Sequence, residues 1–126
     1  MNKANVPTKL RTKETWDRYQ NEPRRNSDKC FICEDTAELE NEGLQHWTVL
    51  NNTYPYDAVA VDHKMLVPFR HVSSLFDLNM DEFEELKFLW HELNNAGYFD
   101  MAGFNFSAAQ THPSHLHIHL FKWERI

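Results

Sequence analysis

Three histidines stand at every second position in the run His115-Leu116-His117-Ile118-His119-Leu120-Phe121. In a β-strand successive side chains point to opposite faces, so this spacing puts the three imidazoles on one face and the aliphatic residues on the other. Near neutral pH an imidazole can act as a nucleophile, a proton carrier or a metal ligand. The run therefore predicts a strand with one apolar face and one chemically active face.

Two kinds of chemistry suit such a face. Alternate imidazoles on one strand can chelate a metal ion together. Alternatively, a central imidazole can attack an electrophile such as phosphorus while its neighbours orient it and move protons. The plain alternative is an exposed strand that carries histidines by chance. The chain has eight histidines, and the placement of three of them at alternate positions disfavours this alternative. The spacing leaves the first two interpretations open.

The two cysteines of the chain, Cys30 and Cys33, form a Cys-x-x-Cys pair. In a reducing cytosol this spacing is more typical of a metal-binding turn or a redox pair than of a structural disulfide. Two small buried apolar side chains are the simplest alternative. The pair indicates a second candidate site without deciding its chemistry.

Composition limits the class of protein that carries these residues. A length of 126 residues suits one domain, and 41% apolar with 25% charged residues is typical of a soluble globular chain. No window approaches the roughly 20 apolar residues of a membrane-spanning helix. Residues 1–13 lack the apolar stretch of an export signal. We therefore expect a cytoplasmic protein without a membrane partner.

The formal net charge of −6 disfavours nucleic acid as a partner, because such a chain is repelled by the phosphate backbone. One group of basic residues departs from this balance and is interpreted as a solvated N-terminal arm: Lys9, Arg11, Lys13, Arg24, Arg25 and Lys29.

The pattern along the chain predicts an α+β domain in which a sheet of four or five strands packs against one main helix. The helix begins at Asn79, whose spacing to Glu82 is that of a capping box, and continues to Gly97. Its apolar residues recur at helical spacing and are expected to pack on the sheet: Phe83, Leu86, Leu89, Trp90 and Leu93.

The remaining elements are shorter. A helix is expected at residues 12–20, and strands are expected at residues 45–50, 58–67, 104–107 and 115–123. Pro68 closes the second strand because it cannot donate to a ladder. We assign residues 1–28 to a lead-in segment and residues 29–126 to the domain.

Two segments together resemble the histidine-triad (HIT) superfamily of nucleotide hydrolases and transferases. The run from His115 to Phe121 matches the family's His-apolar-His-apolar-His-apolar-apolar motif. The stretches 49–57 and 63–71 resemble the family's strand-turn-strand, in which a Val-Pro or Ile-Pro pair precedes a histidine three positions on. The resemblance covers residues 30–123 and implies a HIT-like fold with an antiparallel sheet.

The resemblance implies roles for individual residues. His117 would be the nucleophile that takes a nucleoside monophosphate from its substrate, and His119 would hold the departing or bridging phosphate oxygens. Asn51 falls where the family has an acidic or amide residue that faces the ribose hydroxyls. Further nucleotide contacts would come from Asn105, Gln110 and Thr111. The loop at residues 106–114 departs from the family's glycine-rich pattern because it contains no glycine, which implies an altered pocket wall.

In several HIT proteins, and in the related galactose-1-phosphate uridylyltransferases, a Cys-x-x-Cys pair binds a structural zinc ion. Carried over, the zinc ligands would be a closed Cys₂His₂ set: Cys30, Cys33, His71 and His115. His63 is the alternative to His71, and the spacing does not exclude it. Zinc would then fix His115 while His117 stays free for chemistry.

The third histidine, His119, matches the hydrolase branches, because the transferase branch usually has glutamine there. The resemblance thus favours hydrolysis of a nucleoside phosphoramidate, a mixed phosphoanhydride or a (di)nucleoside polyphosphate through a nucleotidyl-His117 intermediate. The Asn-x-x-Tyr-Pro-Tyr turn is also similar to diadenosine polyphosphate phosphorylases, in which phosphate accepts the nucleotide. Two further interpretations stay open: a catalytically inactive nucleotide-binding module, and a DNA-end nucleotidase similar to aprataxin, which would need the basic arm.

Many HIT proteins form twofold dimers through the main helix and a sheet edge. The resemblance therefore implies a homodimer, with Phe88 or Trp90 as contact residues where they lie outside the core.

Overall fold

The computed structural model describes residues 10–23, 29–37, 39, 45–104 and 115–124. Their elements follow in the order α1 (Lys13–Gln20), α2 (Phe31–Thr36), β1 (Trp47–Asn51), β2 (Ala60–Pro68), a 3₁₀ turn (Leu75–Asp77), α3 (Met80–Ala96), β3 (Met101–Gly103) and β4 (Ile118–Trp123). The strand order in the sheet is β1-β2-β4-β3, and all neighbours are antiparallel. The predicted α+β class, with a four-strand sheet and one main helix, is confirmed. Within these ranges no helix is long and apolar enough to cross a membrane.

The long helix α3 begins and ends where its sequence signals predict. Asn79 Oδ1 accepts the amide of Glu82 at 2.8 Å, and Glu82 Oε1 accepts the amide of Asn79 at 2.9 Å, which completes the capping box. Gly97 ends the helix at a φ of 68°, a left-handed conformation that glycine adopts without strain. Trp47 Nε1 of β1 donates to the Glu82 carbonyl at 2.8 Å and so fixes the start of α3 over the sheet.

One side of α3 and one face of the sheet form the main core. Leu86 is buried, and Leu89 and Leu93 pack partly buried beside it, as their spacing predicts. The core also takes the apolar residues that alternate with the histidines: Ile118 and Leu120 of β4, and Leu116 just before that strand. This arrangement confirms the predicted apolar face of the histidine run.

The predicted packing of Phe83 and Trp90 is wrong, because these side chains are 49% and 47% exposed. In the first turn of α3 the buried residue is Glu82, which takes two hydrogen bonds from Arg70, at 3.1 Å from Nε and 2.7 Å from Nη2. Phe88 is also exposed on α3. The homodimer contact implied for this helix stays a prediction.

Two strand positions differ from the sequence prediction. β4 begins at Ile118, so the first two histidines of the run precede the strand. β3 comes before residues 104–107, of which residues 105–107 lie outside the described part. Asp100 sets this earlier register, because its amide donates to the Phe121 carbonyl at 2.7 Å and its carboxylate accepts the Trp123 amide at 2.9 Å.

The helix α1 packs on the loop between β1 and β2. The Asp57 carboxylate accepts the Thr12 amide at 2.9 Å, the Thr12 hydroxyl at 3.2 Å and the Thr15 hydroxyl at 2.6 Å. Partial burial raises the pKa of Asp57, but these hydrogen bonds outweigh it and leave the pKa below its usual value. The start of α1 is thus tied to the loop that backs the candidate site.

Arg11 is buried in the same contact. Its guanidinium stacks between the rings of Tyr19, at 4.6 Å, and Tyr56, at 4.8 Å, and its Nε donates to the Tyr54 carbonyl at 2.9 Å. The prediction of a solvated arm is therefore wrong for Arg11. The sequence carried no sign of this burial because Tyr54 and Tyr56 lie in the loop between β1 and β2, and the carbonyl of Tyr54 is 43 residues away in the chain.

Candidate functional site

Four side chains from separate parts of the chain meet in one group: Cys30, Cys33, His71 and His115. Their ligand atoms all lie within 4.8 Å of one another. The Nδ1 of His115 lies 3.3 Å from Cys30 Sγ, 3.4 Å from Cys33 Sγ and 3.2 Å from His71 Nδ1. This group could hold a metal ion, and it contains His71 rather than the alternative His63.

Four of the six separations between these atoms are close to those of tetrahedral coordination. With metal–sulfur bonds of about 2.3 Å and metal–nitrogen bonds of about 2.05 Å, a regular tetrahedron separates sulfur from nitrogen by roughly 3.5 Å and two nitrogens by roughly 3.3 Å. His115 is also oriented from behind, because its Nε2 lies 2.9 Å from the Pro68 carbonyl oxygen. That oxygen can only accept, so Nε2 carries the hydrogen and the Nδ1 lone pair faces the group.

The two cysteines lie at the start of α2, a helix that the sequence analysis did not predict. Cys30 is its N-cap, with Sγ accepting the Cys33 amide at 3.4 Å. Burial, followed by the hydrogen bond and charge of Cys30, raises the pKa of Cys33 to about 11. A redox-active Cys-x-x-Cys pair needs a lowered thiol pKa, so these surroundings do not favour redox chemistry.

His117 is held by a backbone carbonyl. Its Nδ1 lies 2.8 Å from the His115 carbonyl oxygen, so Nδ1 carries the hydrogen and the lone pair of the neutral ring lies on Nε2. Desolvation lowers the pKa of His117 and the carbonyl raises it, with a net lowering. The ring is partly exposed, whereas His115 and His119 are buried. His117 thus offers a neutral, reachable nitrogen nucleophile.

His119 is held in the opposite way, through His63 and a backbone amide. The Tyr56 amide donates to His63 Nδ1 at 2.9 Å, so the hydrogen of neutral His63 lies on Nε2. His63 Nε2 lies 2.7 Å from His119 Nδ1, which therefore accepts. The hydrogen of His119 is left on Nε2. This atom is buried and has no hydrogen-bond partner among the described residues.

Asn52 does not change this assignment. Its side-chain oxygen accepts the Tyr54 amide at 2.9 Å, so the side-chain nitrogen is the atom that lies 3.3 Å from His63 Nε2. An amide NH₂ has no lone pair to accept with, and the nearer His119 Nδ1 is the acceptor.

Burial keeps the His63–His119 pair neutral. Desolvation is the largest cause of both shifts, and it lowers the pKa of His63 to about 3 and that of His119 to about 2. The charges of Arg11 and His117 lower both values further, and His63 also lowers that of His119, while Asp62 opposes the shift of His63. Each ring is therefore a neutral imidazole with a single N–H near pH 7.

The predicted nucleotide contacts are only partly described. Asn51 is exposed at the end of β1, where its Oδ1 accepts Lys64 Nζ at 2.6 Å. Its neighbour Asn52 is the residue that reaches the histidine pair. Three further candidates lie outside the described residues: Asn105, Gln110 and Thr111.

The sequence analysis missed the role of His63 beside His119. The β2–β4 register pairs His63 with Phe121 and Met65 with His119, so His63 and His119 are diagonal neighbours on one face of the sheet. Antiparallel pairing of β2 with β4 could have been assumed from the sequence, and it would have suggested that the two histidines can meet. The sequence does not give the register of that pairing, because no short-range pattern sets it.

The hydrogen bonds therefore orient the three histidines of the run in three different ways. His115 turns a lone pair toward the cysteines, His117 presents a lone pair beside them, and His119 presents a hydrogen. The rings of His117 and His119 are 4.9 Å apart in an edge-to-face contact. A metal ligand, a nucleophile and a donor can thus act side by side.

No protein-family model matches the chain, and no curated protein matches it.

The two buried neutral histidines make stability sensitive to acid. Their folded-state pKa values lie below the unfolded value, so below about pH 6.5 the unfolded chain binds more protons and stability falls as pH falls. The variant His63→Gln removes one such group. It should lower the slope of unfolding free energy against pH by about one proton, or roughly 1.4 kcal/mol per pH unit, between about pH 6 and pH 4.

Urea unfolding at a series of pH values measures this slope. His91→Gln is the matched control because it removes an exposed imidazole of α3, and it should keep the wild-type slope. Equal slopes for the wild type and His63→Gln would contradict a neutral, buried His63.

Proposed function

We propose that this chain is a nucleotide hydrolase that cleaves a nucleoside phosphoramidate or a (di)nucleoside polyphosphate through a nucleotidyl-His117 intermediate. The observation that carries the proposal is the hydrogen bond of 2.8 Å between His117 Nδ1 and the His115 carbonyl. It leaves the Nε2 lone pair free for attack, and the carbonyl oxygen faces the positive charge that develops on the ring.

The proposed reaction has two displacement steps. His117 Nε2 attacks the α-phosphorus, a nitrogen–phosphorus bond forms, and the bond to the leaving amine or phosphate breaks with its electron pair. A water molecule then attacks the same phosphorus, loses a proton to solvent, and the nitrogen–phosphorus bond breaks to release the monophosphate. The low pKa of His117 supports the first step, because an unprotonated ring is ready to attack near pH 7.

The resemblance to the HIT superfamily supports the same choice of substrate. In this proposal the fold is HIT-like, Asn51 lies toward the ribose, and Asn105, Gln110 and Thr111 contact the phosphates. Zinc is the proposed metal for Cys30, Cys33, His71 and His115, since two thiolates and two imidazoles are ligands that zinc prefers. With four protein ligands the metal has no open position, so its role is structural.

The test is intact-protein mass spectrometry after a rapid acid-free quench, with adenosine 5′-phosphoramidate and a diadenosine polyphosphate as separate substrates. We expect an adenylyl adduct on the protein and release of AMP. In ¹⁸O-labelled water the AMP should carry one heavy oxygen. In the presence of inorganic phosphate, formation of ADP in its place would assign the acceptor as phosphate and the activity as a phosphorylase.

The absence of both adduct and product with either substrate would overturn the hydrolase and phosphorylase proposals together. AMP that still binds such an inert protein would then identify a nucleotide-binding module. Steeply salt-dependent binding to DNA ends would instead favour the DNA-end nucleotidase.

A further inference from the structure

The β1–β2 loop (residues 52–59) is held along one side by the N-terminal segment (residues 10–22). At Asp57 the side-chain carboxylate takes three hydrogen bonds from the start of α1. One residue further along, the Ala58 amide donates to the Leu10 carbonyl at 3.1 Å. The loop is thus bonded to this segment through a side chain and through its backbone.

Aromatic packing extends the same contact. The Tyr54 ring lies 5.4 Å from the Tyr19 ring of α1 in an edge-to-face arrangement, and its hydroxyl donates to the Glu22 carboxylate. The buried Arg11 guanidinium lies over both the Tyr19 ring and the Tyr56 ring. The side chains of Tyr19 and Tyr56 are themselves buried, so the N-terminal segment and the loop share one small core.

The same loop borders the candidate site. The Tyr56 ring lies 4.6 Å from the His63 ring and 5.5 Å from the His119 ring. Asn51, the residue proposed to lie toward the ribose, immediately precedes the loop at the end of β1. A loop depends on its contacts with the rest of the protein for a fixed position. The contacts with the N-terminal segment can therefore set where the loop lies relative to the histidines.

We propose that the N-terminal segment is a brace, whose contact with Asp57 keeps the β1–β2 loop in the position that binds the nucleotide. The inference rests on the proposed function for the identity of the ligand. The contact that carries it is the hydrogen bond of 2.6 Å from the buried Thr15 hydroxyl to Asp57 Oδ2. A hydrogen bond to a carboxylate is about twice as strong as one between neutral groups. Asp57 and Thr15 are positioning residues, since neither is proposed to touch the substrate.

The brace should act on affinity rather than on the chemical step. Without the Asp57 contact the loop would be correctly placed for only a fraction of the time, and the apparent dissociation constant rises by the inverse of that fraction. A bound nucleotide selects the correct position, so kcat at saturation changes little. His117, the proposed nucleophile, is held by the His115 carbonyl, which lies outside the loop.

Asp57→Ala in the full chain tests the proposal through hydrogen exchange, calorimetric titration of AMP, and kinetics with adenosine 5′-phosphoramidate. Amide exchange should become faster in the loop and in α1, which with eight residues is too short to be stable alone, and should keep the wild-type rate in α3 and β4. A variant destabilised as a whole would exchange faster throughout. The Kd for AMP and the KM should each rise about 10-fold, with kcat within about twofold of the wild type.

Thr15→Val is a milder variant, because it deletes one hydroxyl and keeps the shape of the side chain. It should raise Kd and KM about 3-fold, and its combination with Asp57→Ala should resemble Asp57→Ala alone, since both remove the same hydrogen bond. Thr15→Ser keeps the hydroxyl and should keep wild-type affinity. The matched control on α1 is Lys13→Ala, whose side chain is 90% exposed and pairs with Asp17. It should change none of these quantities. Thr15→Val decides the result where Asp57→Ala does not fold.

Two results would overturn the brace. Unchanged exchange in the loop of Asp57→Ala would show that the N-terminal segment does not hold it. Faster exchange at unchanged Kd and KM would show that nucleotide binding does not depend on the position of the loop.

Failure of the proposed function gives a different pattern. A wild type that binds AMP but turns over neither substrate overturns the hydrolase, and the AMP titrations of the variants then decide the role of the brace. A wild type that binds no AMP overturns both.

Discussion

His117→Ala is expected to lower the rate of AMP release by at least about 10³-fold, because loss of a covalent nucleophile removes the whole reaction path that it opens. The variant also loses the adenylyl adduct. AMP should still bind within several-fold of the wild-type affinity, since His119 and the other residues proposed to contact the nucleotide are unchanged. Steady-state kinetics and calorimetric titration of AMP measure the two effects separately.

The matched control is His91→Ala, an exposed histidine on α3 that should keep wild-type activity. His119→Ala is informative beside it. It removes the proposed donor but not the nucleophile, so the adduct should still form, at a lower rate. A His117→Ala protein with more than a tenth of wild-type activity would place the nucleophile elsewhere and contradict the proposed intermediate.

Features with a short-range cause were predicted well from the sequence. The capping pair Asn79 and Glu82 and the terminal Gly97 locate α3, because each acts within one helical turn. The alternation in the histidine run was also decisive, since it places Leu116, Ile118 and Leu120 together in the core. Both patterns reflect the local geometry of a helix or a strand.

Features that depend on distant partners were not predicted. Trp90 fits the apolar spacing of α3 but lies outside the core, because the sheet packs against the side of the helix that carries Leu86, Leu89 and Leu93. Arg11 is typical of a solvated residue until the two tyrosines enclose it.

In the candidate site, too, some features could be predicted from the sequence and others depend on distant partners. The resemblance gave Cys30, Cys33, His71 and His115 as one group, and the structure brings these four together. The spacing alone did not exclude His63 as the alternative to His71. The β2–β4 register removes that choice, because it turns His63 toward His119, 56 residues away in the chain. A sequence pattern names the residues with chemistry, but the strand register decides which of them can touch.

The second large effect is expected from removal of the proposed zinc ion or of one of its four candidate ligands. The ligand set connects Cys33 to His71 across 38 residues and to His115 across 82 residues, so it closes two long loops. The helix α2 has only six residues and is too short to be stable alone. Binding free energy is then folding free energy, and we expect His71→Gln to destabilise the chain by about 3 kcal/mol or more.

Thermal unfolding with and without a chelator measures this effect. For a chain of this size a loss of about 3 kcal/mol lowers Tm by roughly 10–15 °C. Native mass spectrometry should find one zinc per chain in the wild type and in His91→Gln, the matched substitution of a histidine outside the group, and none in His71→Gln. A wild type that loses its metal to the chelator at unchanged Tm would contradict a structural role.

The pH dependence of metal binding gives an independent check on the ligands. The pKa of about 11 for Cys33 means that its thiol is protonated near pH 7 before the metal binds. Binding must displace that proton, so affinity should fall as pH falls and protons should be released when zinc is added. Cys33→Ser should reduce both the affinity and the number of protons released. An affinity that does not change between about pH 8 and pH 6 would exclude Cys33 as a thiolate ligand, because a bound thiolate must compete with its own proton.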